Sequence, residues 1–129
     1  MDNSRKVSEI MDRKLVAVSK TTSIATAVKL IKTSGVNALP VLEDGKLVGV
    51  VGEDELLDFI ANHDEGMRNQ SVITVSKKPV FAEQNDPVSK AIHKLVDNRL
   101  TRLPIVDSAG SMLCVGIVSA SELLKEASK

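Results

Sequence analysis

The chain contains the same pattern twice. Leu39–Leu57 reads LPVLEDGKLVGVVGEDELL, and Leu103–Leu124 reads LPIVDSAGSMLCVGIVSASELL. Each copy begins with Leu-Pro and branched apolar residues, turns at an acidic segment that contains glycine, and returns through a second apolar run. This order is typical of a β-hairpin. In both copies a glycine (Gly49, Gly116) is followed six residues later by Glu-Leu-Leu, so we predict that a strand leads into a helix there.

A helix is predicted before the first hairpin. Apolar residues recur at helical spacing from Ser23 to Ser34, Thr22 or Ser23 can cap the start, and Gly35 can end the helix. The first unit therefore reads β-α-β-β-α. Its other elements are a short strand at Leu15–Val18, hairpin strands at Ala38–Leu42 and Lys46–Val51, and a helix at Glu53–Ala61 with Leu56, Leu57 and Ile60 facing inward.

The second unit repeats the first. A shift of 64 residues aligns Val16 with Val80 and Pro40 with Pro104. We predict a linker at the polar segment Asn62–Gln70, which divides the chain into repeats 1–66 and 67–129. The helix of the second repeat is predicted to have Asp86 as its N-cap, Pro87 as its first residue, and an inner face of Val88, Ala91, Ile92, Leu95 and Val96.

The repeat also predicts the fold class. A unit of ~60 residues with two apolar faces does not bury both of them alone, so two copies are expected to pack together. We predict an α/β (α+β) protein in which two β-α-β-β-α repeats are related by an internal pseudo-twofold, with the sheets packed together and the helices outside.

Composition excludes several functions. The 129 residues include 17 basic and 17 acidic side chains, so no net field attracts nucleic acid or an anionic membrane. Phe59 and Phe81 are the only aromatic residues, which leaves few surfaces on which bases could stack. A lone cysteine, Cys114, gives no disulfide framework, and no apolar run approaches the ~18 residues of a membrane span. We expect a cytoplasmic protein that contacts neither nucleic acid nor membrane.

The duplicated motif resembles the CBS domain family, named for cystathionine beta-synthase and found in pairs as Bateman modules. The resemblance covers nearly the whole chain. Its matching residues are Leu39-Pro40-Val41, Gly45, Gly49-Val50-Val51 and Glu55-Leu56-Leu57, with Leu103-Pro104-Ile105, Gly110, Gly116-Ile117-Val118 and Glu122-Leu123-Leu124 as their counterparts.

The resemblance implies a regulatory module rather than an enzyme, with no catalytic residue and no required cofactor. Such modules hold an adenosine-type ligand (AMP, ADP, ATP or S-adenosylmethionine) in a cleft between the repeats and pass a shape change to an effector protein. Pairs often meet as homodimers through the helices after each hairpin. Here those helices carry Leu56, Leu57, Ile60, Leu123 and Leu124, which is more apolar than one sheet contact requires.

The family's motif also implies which residues contact the ligand. A hydroxyl and a helix N-terminus face phosphate, an acid takes the ribose hydroxyls, and residues of the early strand and before the Leu-Pro proline line the adenine pocket. The better site would comprise Val16, Ala17, Val18, Ala38, Leu39, Ser119, Ser121 and Glu122. The weaker site would comprise Val80, Phe81, Arg102 and Glu55.

Both acids depart from the family pattern, which usually has Asp where this chain has Glu55 and Glu122. The extra methylene displaces the carboxylate by over an ångström and weakens the case for a bidentate ribose contact. In the first repeat Gly52 has no hydroxyl, and Glu53 and Asp54 add two carboxylates beside Glu55. A phosphate would be repelled there, so we expect that site to be empty or to take a ligand without phosphate.

The same residues allow structural interpretations. Ser119 and Glu122 form a capping-box sequence that needs no ligand. Arg102 could be a surface strand arginine paired with Asp107 or another acid. The alternative function is then a structural dimerisation module with degenerate sites. His63 and His93 lack partners at metal-ligand spacing, so no metal site is predicted.

Overall fold

The computed structural model describes residues 5–128, which form two compact units. The first unit is Val16–Pro79, and the second unit combines residues 5–15 with residues 80–128. The compact units therefore differ from the predicted repeats 1–66 and 67–129. Each repeat contributes its opening segment to the other repeat's unit.

The first unit contains a three-stranded sheet in the order β1-β2-β3 and two helices. β1 is parallel to β2, and β2 is antiparallel to β3. The elements follow one another as β1 (Val18–Ser19), α1 (Ile24–Ser34), β2 (Ala38–Glu43), β3 (Lys46–Gly52) and α2 (Glu53–Asn62). Two 3-10 turns at Glu65–Asn69 and Val72–Thr74 complete the unit.

The second unit repeats this arrangement with a sheet in the order β4-β5-β6. Its elements are a 3-10 turn at Val7–Glu9, β4 (Ala82–Glu83), α3 (Val88–Asp97), β5 (Arg102–Val106), β6 (Cys114–Ser119) and α4 (Ala120–Ala127). Two small mixed sheets with four helices confirm the predicted α+β class and the β-α-β-β-α order of each repeat. No helix within residues 5–128 combines the length and the apolar character needed to cross a bilayer.

The helix ends follow local chemistry, with one correction. Ser23 is the N-cap of α1, because its Oγ accepts a hydrogen bond from Thr26 N at 3.1 Å, and Gly35 ends the helix with a φ of 76°. For α3 the prediction was wrong. Pro87 itself is the N-cap, with extended backbone angles, and the Asp86 carboxylate accepts from Glu83 N at 2.9 Å. Asp86 therefore closes a local turn and leaves the helix uncapped by a side chain.

Each unit uses a segment from outside its own repeat to bind the start of a helix. In the second unit Val88 N, at the first turn of α3, donates to Arg5 O at 2.8 Å, and Val7 N donates to Asp86 O at 2.9 Å. In the first unit Ile24 N donates to Gln70 O at 2.9 Å at the corresponding place. These bonds satisfy amides that a helix N-terminus otherwise leaves without partners.

The same segments extend the sheets. Asp12 and Ile117 exchange two backbone hydrogen bonds of 2.9 Å, so the opening segment pairs with the outer edge of β6. Val50 and Lys77 form the same antiparallel bridge on β3, at 2.9 and 3.0 Å. Each bridge occupies one position on the outer edge of β6 or β3, and the N–H and C=O groups at that position are no longer free to pair with other chains.

Each unit has its own apolar core. In the second unit the core includes Val7 and Met11 from the opening segment, together with fully buried Leu103, Ile105 and Val118. The first core is built by the equivalent elements, with Val72 contributed by the later segment. Its fully buried members are Ile24, Ala27, Leu39, Val41, Val51 and Val72.

Two side chains predicted to face inward point outward. Leu57 is 63% exposed on α2 and Val96 is 68% exposed on α3. In α2 the inner positions belong to Leu56 and Phe59, because they are three positions apart and so lie on one helix face. Leu57 lies on the adjacent face of the helix.

Close backbone contact at Gly116 makes docking of the opening segment testable. A Cβ at this position would lie 2.7 Å from Met11 Sδ and 3.0 Å from Asp12 O. We therefore expect Gly116→Ala to lower the free energy of unfolding by about 1 to 3 kcal/mol through overpacking, measured by urea denaturation. Gly110→Ala in the same hairpin is the control, because a Cβ added there would have no other atom within 4 Å and little change is expected. Equal losses in the two variants would contradict the docked segment.

Candidate functional site

The junction of β6 and α4 brings together the polar residues with the strongest sequence signal. Ser119 is the N-cap of α4, and its Oγ accepts from Glu122 N at 3.2 Å. One carboxylate oxygen of Glu122, Oε1, accepts from Ser119 N at 3.2 Å and from Ser119 Oγ at 3.0 Å. The capping box predicted as the structural interpretation is therefore formed.

The capping box occupies only part of the Glu122 carboxylate. Its second oxygen, Oε2, has no hydrogen-bond or ion-pair partner within residues 5–128. Ser121 adds a hydroxyl, since its Oγ lies 3.1 Å from Ser119 Oγ. Ser119 is 7% exposed and Ser121 is exposed, so the cluster extends from the protein interior to solvent. A ligand hydroxyl or anion can therefore reach it.

Arg102 lies next to this cluster. Within the second unit Arg102 is the cross-strand partner of Ser119, so their side chains share one face of the sheet. The suggested pairing with Asp107 is wrong, because Asp107 Oδ1 instead accepts from Ser108 N at 2.7 Å and Leu113 N at 3.1 Å in the hairpin loop. No described acid forms an ion pair with Arg102. The start of α4 thus combines a hydroxyl and a carboxylate, and an arginine without an ion-pair partner among the described acids occupies the neighbouring strand position.

The first unit has a different arrangement at the equivalent place. Gly52 is the N-cap of α2 and has no hydroxyl, while Glu55 Oε1 accepts from Gly52 N at 2.7 Å. The other oxygen of Glu55 lies 3.6 Å from Lys77 Nζ. Ala38 occupies the cross-strand position opposite Gly52, where the second unit has Arg102. Both oxygens of Glu55 are therefore engaged within the protein.

The predicted site residues are divided between the two compact units. The first unit contains Val16, Ala17, Val18, Ala38, Leu39 and Glu55, and the second contains Val80, Phe81, Arg102, Ser119, Ser121 and Glu122. Val18 opens β1 and pairs with Val41, whereas Phe81 immediately precedes β4. The predicted sites each combine residues of both units, and these combinations remain predictions. Within the second unit the structure joins Arg102 to Ser119, a pairing that the predicted grouping lacks.

Two lysines near these residues escaped sequence reasoning. Lys94 on α3 donates from Nζ to Phe81 O, and its Nζ lies 5.2 Å from the centroid of the Phe81 ring. The sequence held a sign of this contact, because the 64-residue shift aligns Lys94 with Leu30 and Phe81 with Ala17. The second repeat therefore differs from the first at both contacting positions. Lys77 carried no such signal, since its proximity to Glu55 depends on pairing between Lys77 and Val50.

The surroundings of His63 and Cys114 explain both side chains without a ligand. His63 stacks on Phe59 with ring centroids 4.2 Å apart, and its Nδ1 lies 3.0 Å from Phe59 O. Burial raises the pKa of the Cys114 thiol, so this side chain stays protonated and unreactive near neutral pH. Within residues 5–128, no three His, Cys, Asp or Glu side chains come together in a way that could hold a metal ion.

The family model for the CBS domain matches residues 7–62 and again residues 71–129. The chain belongs to the CBS domain family. It is 31% identical to an uncharacterised protein of Methanocaldococcus jannaschii over 95% of this chain and 44% of that protein. It is 32% identical to an inosine-5'-monophosphate dehydrogenase of Thermoplasma acidophilum over 93% of this chain and 23% of the enzyme. The chain thus spans less than half the length of these two relatives. The CBS domain-containing protein YhcV of Bacillus subtilis is 30% identical and is covered to 81%.

Solved CBS domain pairs have the same fold. The pair of protein MJ0100, crystallised with 5'-methylthioadenosine and S-adenosyl-L-methionine, superposes with a TM-score of 0.78 at 22% identity, covering 97% of this chain and 98% of that one. CBSX2 in complex with AMP superposes with a TM-score of 0.79 at 25% identity, covering 95% of each chain. These CBS relatives confirm the fold class and the recognised family.

A double-mutant cycle tests the capping interaction of Ser119 and Glu122. Ser119→Ala should lower the free energy of unfolding by about 1 kcal/mol, because α4 loses its N-cap acceptor. Glu122→Ala should also destabilise, and the double variant should lose less than the sum of the two, since the residues share their hydrogen bonds. Chemical denaturation measures all three, with Ser89→Ala on α3 as a control. Strict additivity would contradict the shared capping box.

Proposed function

We propose that this CBS pair is a regulatory module that binds an adenosine-type ligand, AMP, ADP, ATP or S-adenosylmethionine, and signals its binding to a partner protein. The observation that carries the proposal is the cluster at the start of α4. There Arg102 is the cross-strand partner of Ser119, and one oxygen of Glu122 is uncommitted. Relatives crystallised with AMP or with S-adenosyl-L-methionine support the ligand class.

Each group has a distinct role in the proposed complex. The uncommitted Glu122 oxygen accepts a hydrogen bond from a ribose hydroxyl, while Ser119, Ser121 and the first amides of α4 face a phosphate or carboxylate. Arg102 supplies the positive charge that offsets Glu122 for an anionic ligand. The contacts predicted for Val16, Ala17, Val18, Ala38 and Leu39 complete the adenine pocket in this proposal.

The site that includes Glu55 is proposed to bind weakly or not at all. Both Glu55 oxygens already have partners, Gly52 N and Lys77 Nζ, and Glu53 and Asp54 add negative charge beside them. Lys77 offsets part of this charge, which the sequence prediction did not include. Val80 and Phe81 keep their predicted places at this site, whereas the proposal moves Arg102 from it to the site that includes Glu122.

The alternative function is a structural dimerisation module with degenerate sites. The formed capping box favours it, because Glu122 and Ser119 satisfy α4 without any ligand. Under either function the chain is proposed to act without catalysis, cofactor, nucleic acid or membrane, in the cytoplasm. Only the ligand-binding function includes an effector protein that receives the signal.

Ligand titration separates the two functions. Without Trp or Tyr the protein absorbs little at 280 nm, so a bound adenine should dominate the spectrum of the purified protein with a peak at about 260 nm. Calorimetry with AMP, ATP and S-adenosylmethionine should give micromolar affinity for at least one ligand, about 8 kcal/mol. Glu122→Ala should weaken binding at least several-fold, because a buried ribose loses a charge-assisted hydrogen bond.

Glu55→Ala is the matched control for this titration. It removes the equivalent acid of the other repeat and should change the affinity little, or improve binding of an anion. Arg102→Met should weaken AMP more than a ligand without phosphate. Absence of binding by all three ligands at millimolar concentration, with no adenine absorbance after purification, would reject the ligand-binding function in favour of the structural module.

We also propose that the chain forms a homodimer through the helices after each hairpin, burying ~1,200 to 2,000 Å². The exposed Leu57 on α2 and Leu124 on α4, at 63% and 71%, support this proposal. Light scattering at tens of micromolar protein should give twice the mass of the chain. A monomer mass would reject the homodimer and leave the ligand-binding proposal unaffected.

A further inference from the structure

The last turn of α4 holds an acidic side chain that is mostly buried. The side chain of Glu126 is 12% exposed, and its Oε1 forms an ion pair with Arg5 Nη1 from the opening segment of the second unit, residues 5–15. Arg5 also donates from Nε to Glu9 Oε2 at 3.1 Å, in a pair that is more exposed. Arg5 therefore joins the opening segment to the end of α4.

The opening segment also reaches the other end of α4. Asp12 exchanges two backbone hydrogen bonds with Ile117 on β6, the strand that leads directly into α4. Between these two points Val7 and Met11 lie in the same apolar core as Leu123, the buried residue of α4. The segment thus contacts the end of α4, packs in the core with its middle, and pairs with the strand before its start.

The first unit closes the equivalent place without an ion pair. A shift of 67 residues aligns Glu126 with Phe59 of α2, which is 4% exposed. Gln70 takes the place of Arg5, because the carbonyl oxygen of each accepts a hydrogen bond from the first amide of a helix, α1 or α3. Charges regain their water when a contact opens, so an ion pair resists opening less than an apolar contact of similar size. The second unit therefore has the contact that opens more easily.

We infer that the opening segment regulates the ligand site at the start of α4, and that the ion pair of Arg5 with Glu126 keeps the segment docked. The inference rests on the proposed function. Release of the segment removes an edge partner from β6 and core contacts from α4, so the carboxylate of Glu122 is no longer held in place. A site whose groups are already ordered binds more tightly than one that must be ordered on binding. By linkage, a ligand that prefers the docked form also favours docking.

Hydrogen exchange measures docking without a ligand. Val7 N and Ser8 N donate to the carbonyl oxygens of Asp86 and Gln84, so these two amides exchange slowly only while the segment is docked. Arg5→Met removes the cation of the ion pair and should speed their exchange by roughly 10-fold. The amides of α4 should exchange faster with them, because α4 loses the same contacts.

Two controls accompany this variant. Glu9→Gln removes the charge of the exposed partner of Arg5 and should leave the exchange rates unchanged. The amides that pair β5 with β6 should keep their rates in Arg5→Met, which shows that the variant is folded and that the opening is local.

An apolar replacement tests the role of the ion pair itself. The double variant Arg5→Met, Glu126→Leu exchanges the ion pair for apolar side chains of similar size, a change that is often neutral or stabilising. Its Val7 and Ser8 amides should exchange at the wild-type rate or more slowly. Exchange as fast as in Arg5→Met alone would overturn the assignment of this ion pair as the contact that keeps the segment docked.

Ligand addition tests the coupling between the segment and the site. Saturating AMP or S-adenosylmethionine, whichever calorimetry shows to bind, should slow the exchange of Val7 and Ser8 by roughly 5-fold or more in the wild type and in Arg5→Met. These amides bond to the loop before α3 and not to the Ser119 cluster, so direct contact with the ligand does not explain such slowing.

The outcomes separate this inference from the proposed function. Binding without slower exchange of Val7 and Ser8 would overturn the inference and leave the ligand-binding function standing. Equal exchange in the wild type and in Arg5→Met would also overturn it, since the ion pair would then not hold the segment. Absence of binding in calorimetry would reject the proposed function, and the regulation of a ligand site with it.

Discussion

The rest of the structure depends on two places where another segment packs tightly against the backbone of a strand, at Gly116 and at its counterpart Gly49. At Gly116 the chain passes so near Met11 and Asp12 that a methyl group would not fit, and Gly49 meets Ser76 and Lys77 in the same way. These contacts allow a segment from one repeat to complete the sheet of the other unit. Neither unit's sheet edge, helix start or core would be complete without this exchange.

The exchange also explains how two similar sequences acquire different sites. The segment that covers β3 brings Lys77 to Glu55, whereas the segment that covers β6 brings Asp12 to the corresponding edge. In the first unit the charge of Lys77 therefore offsets that of Glu55 at the start of α2. The second unit satisfies only one oxygen of Glu122 and places Arg102 across from Ser119. Small changes at equivalent positions thus leave both oxygens of Glu55 with partners and one oxygen of Glu122 without a described partner.

The same asymmetry extends to the helical surfaces. Where α2 carries Asp58, α4 carries Lys125, and where the first repeat ends a helix with Gly35, the second uses Arg99. We propose that ligand binding depends on such differences between the repeats, while folding depends on what they share.

The sequence alone determined the duplication, the β-α-β-β-α order and the fold class, because Leu-Pro, glycine and the apolar periodicity act over short distances along the chain. It also indicated Ser119 and Glu122 as a pair, since the capping box is a local motif. Tertiary structure decided which unit each opening segment joins, that Lys77 meets Glu55, that Arg102 stands beside Ser119, and that Leu57 and Val96 face outward. These depend on strand register and on packing between residues far apart in the chain, which local spacing does not encode.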